Sequence, residues 1–239
     1  MRIKVATLFL IMACSVFADR EPSAFEGTYT VTRTNMKTGE SDSEELRISW
    51  FGGCYLFEFI QGGGGGELVE QEGVDFGDWT ASSNIDYGAT VGLYRKEGDD
   101  ITGVELYIPD TTFYVIKSGN AESLELAEQW ARGSYQHFEY FEDGTSHESS
   151  MELLGNSTLW TMKWFPWWAD SRSFTGCGLA SGSGVAMLFE MDGGMILRLY
   201  AITGGNLEGR WLSKSWDAER GGFKLETGAE ELWVQKLYE

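Results

Sequence analysis

The sequence predicts an all-β protein: two tandem antiparallel barrels, each a meander of roughly eight strands, joined by a short linker helix. Three observations carry this expectation. Glycine is abundant (31 residues), proline is rare (3), and 14% of residues are aromatic, a mixture that suits short strands and tight turns. Many segments alternate apolar and polar residues with a period of two, as half-buried strands do. Two separated blocks also recur at one offset of 106. Gly27-Thr28-Tyr29 matches Gly133-Ser134-Tyr135, and Leu93-Tyr94, Gly98, Ile101 and Gly103 match Leu199-Tyr200, Gly204, Leu207 and Gly209.

Residues 1–18 read as an export signal. Met1-Arg2-Ile3-Lys4 is a cationic start, and residues 5–17 form an apolar core shorter than the ~20 residues of a bilayer span. Val16-Phe17-Ala18 suits cleavage after Ala18. Ile11-Met12-Ala13-Cys14 is a competing lipoprotein-type site, with Cys14 as the lipidated residue. The expected location is therefore secreted or periplasmic, with a lipid-anchored envelope protein as the alternative and no membrane span.

The first unit spans residues 19–118. Strands are expected near 28–34, 45–51, 54–60, 67–72, 79–85, 89–96, 101–108 and 111–117. Tyr29 and Val31 alternate with threonines, and Leu46, Ile48 and Trp50 alternate with Arg47 and Ser49. Turn signals such as Lys37-Thr38-Gly39 and Glu97-Gly98-Asp99 separate them. Residues 119–131 follow as the linker helix, with Asn120 as its cap and Leu124, Ala127, Trp130 and Ala131 on one face.

The second unit spans residues 132–239. Its strands are expected near 134–141, 149–154, 158–164, 173–179, 184–191, 195–202, 207–214 and 222–236, the last long enough for two. Asp143-Gly144, Asp192-Gly193-Gly194 and Gly204-Gly205-Asn206 supply the turns. Closing each meander into a barrel removes exposed sheet edges.

The Gly-x-Tyr of the first strand in each unit, at Gly27-x-Tyr29 and Gly133-x-Tyr135, resembles the Gly-x-Trp of calycins, the lipocalin and avidin superfamily. That resemblance implies barrels closed at one end by the aromatic and open at the other to a small ligand. The run of Gly-x-Tyr, Asp143-Gly144, Gly176-x-Gly178-Leu179 and Leu207-Glu208-Gly209-x-Trp211 also resembles uncharacterised secreted bacterial β-repeat proteins.

Charge narrows the partners. The chain carries 18 Lys and Arg against 37 Asp and Glu, a net of −19. Such a surface repels phosphate backbones and anionic headgroups, so nucleic acid is not an expected partner. Two histidines and three scattered cysteines offer no zinc-ligand spacing, and no metal or cofactor is expected. Cys54 and Cys177 remain once Cys14 is removed; a disulfide between them would tie the units together, and two separately buried thiols are the alternative.

Trp164-Phe165-Pro166-Trp167-Trp168 is the most unusual segment, lying where the first unit has five glycines at 62–66. Read as a loop, Trp164, Phe165, Trp167 and Trp168 are candidate ligand-binding residues, because indole faces stack on sugar rings and apolar ligands; a hydrophobic plug between units is the competing reading. His137 and Glu139 share one side of a strand with Tyr135. They are candidate ligand contacts if that side faces inward, although Phe138 and Tyr140 make the other side equally apolar. His147 falls in a solvated turn. No nucleophile, metalloprotease or phosphate-loop motif is present. The expected function is non-enzymatic binding of a small apolar or sugar-like ligand through aromatics. The alternatives are a structural or envelope-associated protein without a small ligand, and a carboxylate-based glycan hydrolase or lyase.

Overall fold

Inward-facing alternation becomes two closed barrels in the computed structural model, which describes residues 25–51, 54–61, 68–84, 89–126, 132–141, 143–156, 159–166, 168–169, 172–191 and 193–237. The first barrel comprises β1 (Gly27–Asn35), β2 (Ser41–Phe51), β3 (Cys54–Gln61), β4 (Leu68–Phe76), β5 (Trp79–Asn84), β6 (Thr90–Glu97), β7 (Asp100–Tyr107) and β8 (Thr112–Ser118). The second comprises β9 (Gly133–Phe141), β10 (Ser146–Asn156), β11 (Leu159–Phe165), β12 (Phe174–Ser181), β13 (Gly184–Met191), β14 (Gly194–Thr203), β15 (Asn206–Asp217) and β16 (Gly222–Leu237). Each strand pairs antiparallel with its sequence neighbour, and β1–β8 and β9–β16 close the rings. The last segment is one long strand with an irregularity at Val234/Lys236 rather than two strands.

The expected linker helix does not form over the described part of its range. Gly119 takes a left-handed φ of 46°, and the amides that would begin a helix are used elsewhere. Asn120 N–H donates to Asp100 Oδ2 (3.0 Å) and Glu122 N–H to Glu97 Oε2 (3.1 Å). Leu124 is buried between the barrels, and Ser181 Oγ donates to the Glu125 carbonyl (2.7 Å). The segment is stitched down in an extended path, because those contacts outweigh helix propensity. Residues 127–131 lie outside the described residues, as does the expected signal segment 1–18 with Cys14.

The barrels share a core. Outward-facing Val74, Trp79, Ala81, Val91 and Leu93 of the first pack on outward-facing Leu179, Ala186, Leu188, Leu197 and Leu199 of the second. This explains why β5 is buried on both faces. Trp79 covers Gly184 and donates from Nε1 to Ser183 Oγ (3.1 Å). At the margin, Lys214 Nζ pairs with Glu72 Oε1 (2.7 Å).

Cys54 and Cys177 are not joined by a disulfide, so the expectation of a bridge between them is corrected. They occupy different surroundings: Cys54 sits in the seam beside Glu72 and Lys214, and Cys177 faces outward on β12 beside Glu190. Burial pushes both thiols up, that of Cys54 to about 11.

Candidate functional site

The second barrel is filled at one end and open at the other. Around the chain start of β9, Tyr135, Met151, Leu153, Trp160, Leu207 and Leu232 pack as an apolar base. Above that base lies a charged layer. Arg198 of β14 is the one charged side chain in an apolar strand and is fully buried. Its Nη2 donates to Glu139 Oε1 at 2.8 Å, its Nη1 donates to Glu230 Oε2, and its guanidinium lies 4.4 Å above the Trp164 ring. A buried guanidinium needs such partners, because an unpaired charge in a barrel costs several kcal/mol, on the order of a whole buried ion pair.

His137 completes the layer. Trp164 Nε1 donates to Ser149 Oγ (3.2 Å). His137 Nδ1 shares a hydrogen bond with Ser149 Oγ (2.6 Å), and its Nε2 lies 2.8 Å from Glu230 Oε2 and 3.2 Å from Arg198 Nη1. Burial alone would raise the Glu230 carboxyl, but Arg198 and the His137 bond outweigh it and hold it below its usual range.

Above the layer opens a cavity of about 360 Å³. Glu139 forms part of its floor, while Phe141, Trp164, Trp211, Met191 and Ile196 form its walls. Buried groups at and beneath this space are unsatisfied, Glu230 Oε1 among them. Trp211, only 5% exposed, lines the cavity, and its Nε1 has no hydrogen-bond partner. Arg198 Nε, in the layer beneath, has none either. Gly228 makes room for Trp211, since a Cβ there would stand 2.6 Å from that nitrogen.

The expected aromatic loop is redistributed. Trp164 and Phe165 belong to β11, and Trp164 pairs with Met151 and Phe174. Alternation continues through both residues, turning Trp164 into the barrel and leaving half-buried Phe165 on the outside. The counterpart of Trp164 in the first barrel is Phe59, which pairs with Leu46 as Trp164 does with Met151. The five-glycine segment is therefore not its equivalent. Trp168 stands at the rim, 46% exposed, edge-on to Trp164 (5.9 Å) and against Phe174 (5.4 Å). Trp167 and the glycines 62–66 lie outside the described residues. His137 and Glu139 do face inward, and His147 lines the cavity, in contact with Phe141 (5.0 Å), rather than projecting from a solvated turn.

The sequence reading missed Arg198, Glu230, Ser149, Trp211 and Phe141. For Arg198 a signal was present: in the matched blocks it falls opposite Gly92 as a lone charge among Met195, Ile196, Leu197 and Leu199. His137, Glu139 and Glu230 also place potential metal-ligand atoms within 4.8 Å of one another. The Arg198 guanidinium already contacts all three side chains, so it fills the space between them that a metal ion would need. The trio is an ion-pair layer.

The first barrel also buries polar groups. Phe57 and Tyr94 stack at 5.3 Å. Arg33 Nη2 pairs with Glu105 Oε2 (2.9 Å), and Tyr94 Oη and Gln71 Nε2 donate to Glu105 Oε1 (2.6 and 3.3 Å).

No protein-family profile and no curated protein sequence matches the chain. Among solved structures, a protein of unknown function of the DUF3598 family from Nostoc punctiforme is similar at 10% identity and a TM-score of 0.33, over 88% of this chain and 96% of that one. Two substituted variants of transferrin binding protein B from Haemophilus parasuis are similar at 10% identity and TM-scores of 0.27 and 0.28. They cover 83% and 84% of this chain and 55% of theirs. Among the described residues, no helix is long and apolar enough to cross a membrane.

Proposed function

We propose that this chain is an exported binding protein that holds a small, largely apolar molecule in the mouth of its second barrel. Export rests on residues 1–18, and the calycin-type arrangement rests on the tyrosines that follow Gly27 and Gly133. One observation carries the binding reading. The space above the charged layer is concave and walled by rigid aromatics, with a closed apolar base beneath, as small-molecule sites are.

The test is a titration of the mature chain with the neutral fluorophore N-phenylnaphthylamine. Saturable one-site binding is expected, and Ile196→Trp, which fills the mouth, should abolish it without changing the thermal midpoint by much. Absence of saturable binding, or equal binding by the filled variant, would sink the reading.

Trp168 favours one second reading: its exposed ring at the rim is placed to stack on a sugar. The glycan-cleaving alternative draws no support from Glu139 and Glu230. Both are held by one guanidinium, and Glu230 is kept ionised, whereas glycoside cleavage needs a carboxyl that stays protonated.

A further inference from the structure

We infer that the ligand of the second barrel is an organic cation, an amine or ammonium group on an apolar or aromatic body, seated with its charge on Glu139. The inference rests on the binding reading above and names the chemistry of that ligand.

Four features of the mouth point to it. First, Glu139 reaches the cavity floor. Its Oε1 takes Arg198 Nη2, and its Oε2 accepts no hydrogen bond from any described residue. A carboxylate oxygen facing a cavity accepts a donor, and a charged donor forms the stronger bond. Second, the walls are ring faces and edges: Phe141, Trp164, Trp168 and Trp211 surround the space. Aromatic faces attract a cation through the ring quadrupole, and more strongly when water is excluded.

Third, the positive groups of the lining are already taken. Lys214 is bound to Glu72 of the first barrel and lies over Phe223, and Arg198 beneath the floor serves two carboxylates. His147 faces the field of Asp143 and the ring of Phe141. The other acidic group is Glu226 at the rim, paired with exposed Lys224 at 2.6 Å. An anionic ligand would find no free cation and would meet Glu139. Fourth, the buried Trp211 Nε1 is a donor without an acceptor. A ligand carrying a hydroxyl or carbonyl near its amine would satisfy it. The net charge of −19 adds a long-range field of the same sign, which concentrates cations at the surface.

The test is isothermal calorimetry on the mature chain with three matched probes: 2-phenylethylamine, 2-phenylethanol and phenylacetate. The amine is expected to bind about ten-fold more tightly than the alcohol, and phenylacetate more weakly than either. Rising salt should weaken the amine alone. In Glu139→Gln the amine-to-alcohol ratio is expected to fall towards one while alcohol binding persists. If that variant does not fold, the salt series on the native chain decides the question. Equal affinity for amine and alcohol at low salt would overturn the cation assignment and leave the binding site standing. No binding of any probe, together with no binding of N-phenylnaphthylamine, would overturn both.

Discussion

Arg198 stands in the second barrel where Gly92 stands in the first. Gly92 pairs with Glu105 across β6 and β7, and Arg198 pairs with Trp211 across β14 and β15. In the first barrel a Cβ at Gly92 would collide with the Tyr94 hydroxyl, so only glycine fits. The first barrel draws its arginine, half-buried, from β1, as Arg33, and the acid facing it from β7, as Glu105. The second draws its fully buried arginine from β14 and its acids from β9 and β16. Both halves set one guanidinium against carboxylates, yet no residue of one network keeps its identity in the other.

Replacing Arg198 with Met should destabilise the protein by about 3–5 kcal/mol at neutral pH, since Glu139 and Glu230 are left buried without a counter-charge. The pH dependence has a definite sign. In the native chain Glu230 lies below its unfolded value, so its contribution is present above that value and is lost as pH falls through the native one. In the variant burial, which raises the carboxyl, is opposed only by the His137 bond, so the penalty is relieved as pH falls. The gap between the two urea midpoints should therefore narrow on acidification. A constant gap would mean that Arg198 contributes through packing alone.

Glu44 of the first barrel behaves in the opposite way. Burial raises its carboxyl despite Arg33, and its Oε2 has no hydrogen-bond partner. A raised carboxyl favours the fold while protonated and penalises it as pH rises through the native value. Glu44→Gln should raise the thermal midpoint at neutral pH, by about 0.5–1 kcal/mol, and the advantage should close in acid. A variant that is less stable than the native chain at every pH would refute this.

Trp79 is the main tie between the barrels. Trp79→Ala should cost about 3–5 kcal/mol and loosen the seam over Gly184. Calorimetry is expected to show one cooperative transition for the native chain and a broadened or split transition for the variant. A single transition of unchanged width would show that the rest of the seam suffices to couple the two halves.

The thiols should remain unpaired under oxidising conditions. With a value of about 11, Cys54 is ionised in roughly one molecule in a thousand at pH 8, and the seam covers it. Alkylation followed by mass mapping should label half-buried Cys177 first and Cys54 only on unfolding. A Cys54–Cys177 cross-link in the native protein would contradict the arrangement.

Much of the architecture was legible because strand alternation is a local signal. Tyr29, Val31, Leu46 and Ile48 all face inward as their spacing requires. The linker at 119–126 was not, because its amides are claimed by Glu97 and Asp100, some twenty residues earlier, and no local propensity reports that. At the candidate site, His137 and Glu139 were found from their shared phase with Tyr135. Glu230 could not be, because it joins them only when β16 closes the ring beside β9. The aromatic segment misled for a different reason: Trp164 is as apolar as the residues around it, and only register shows that the strand runs one residue past it.

The seam has one more effect, on the mouth itself. Ser83 of the first barrel donates to Met195 Sδ (3.2 Å) and Glu72 holds Lys214 Nζ (2.7 Å), and Met195 and Lys214 both line the cavity. One lip of the cavity therefore leans on a wall supplied by the other half of the chain. Its shape is set during folding, so a ligand does not have to order that side on arrival. The lip that carries Trp168 has no such backing in these contacts. Selectivity among ligands of different size should thus be adjusted there, and the first barrel serves the second as an abutment.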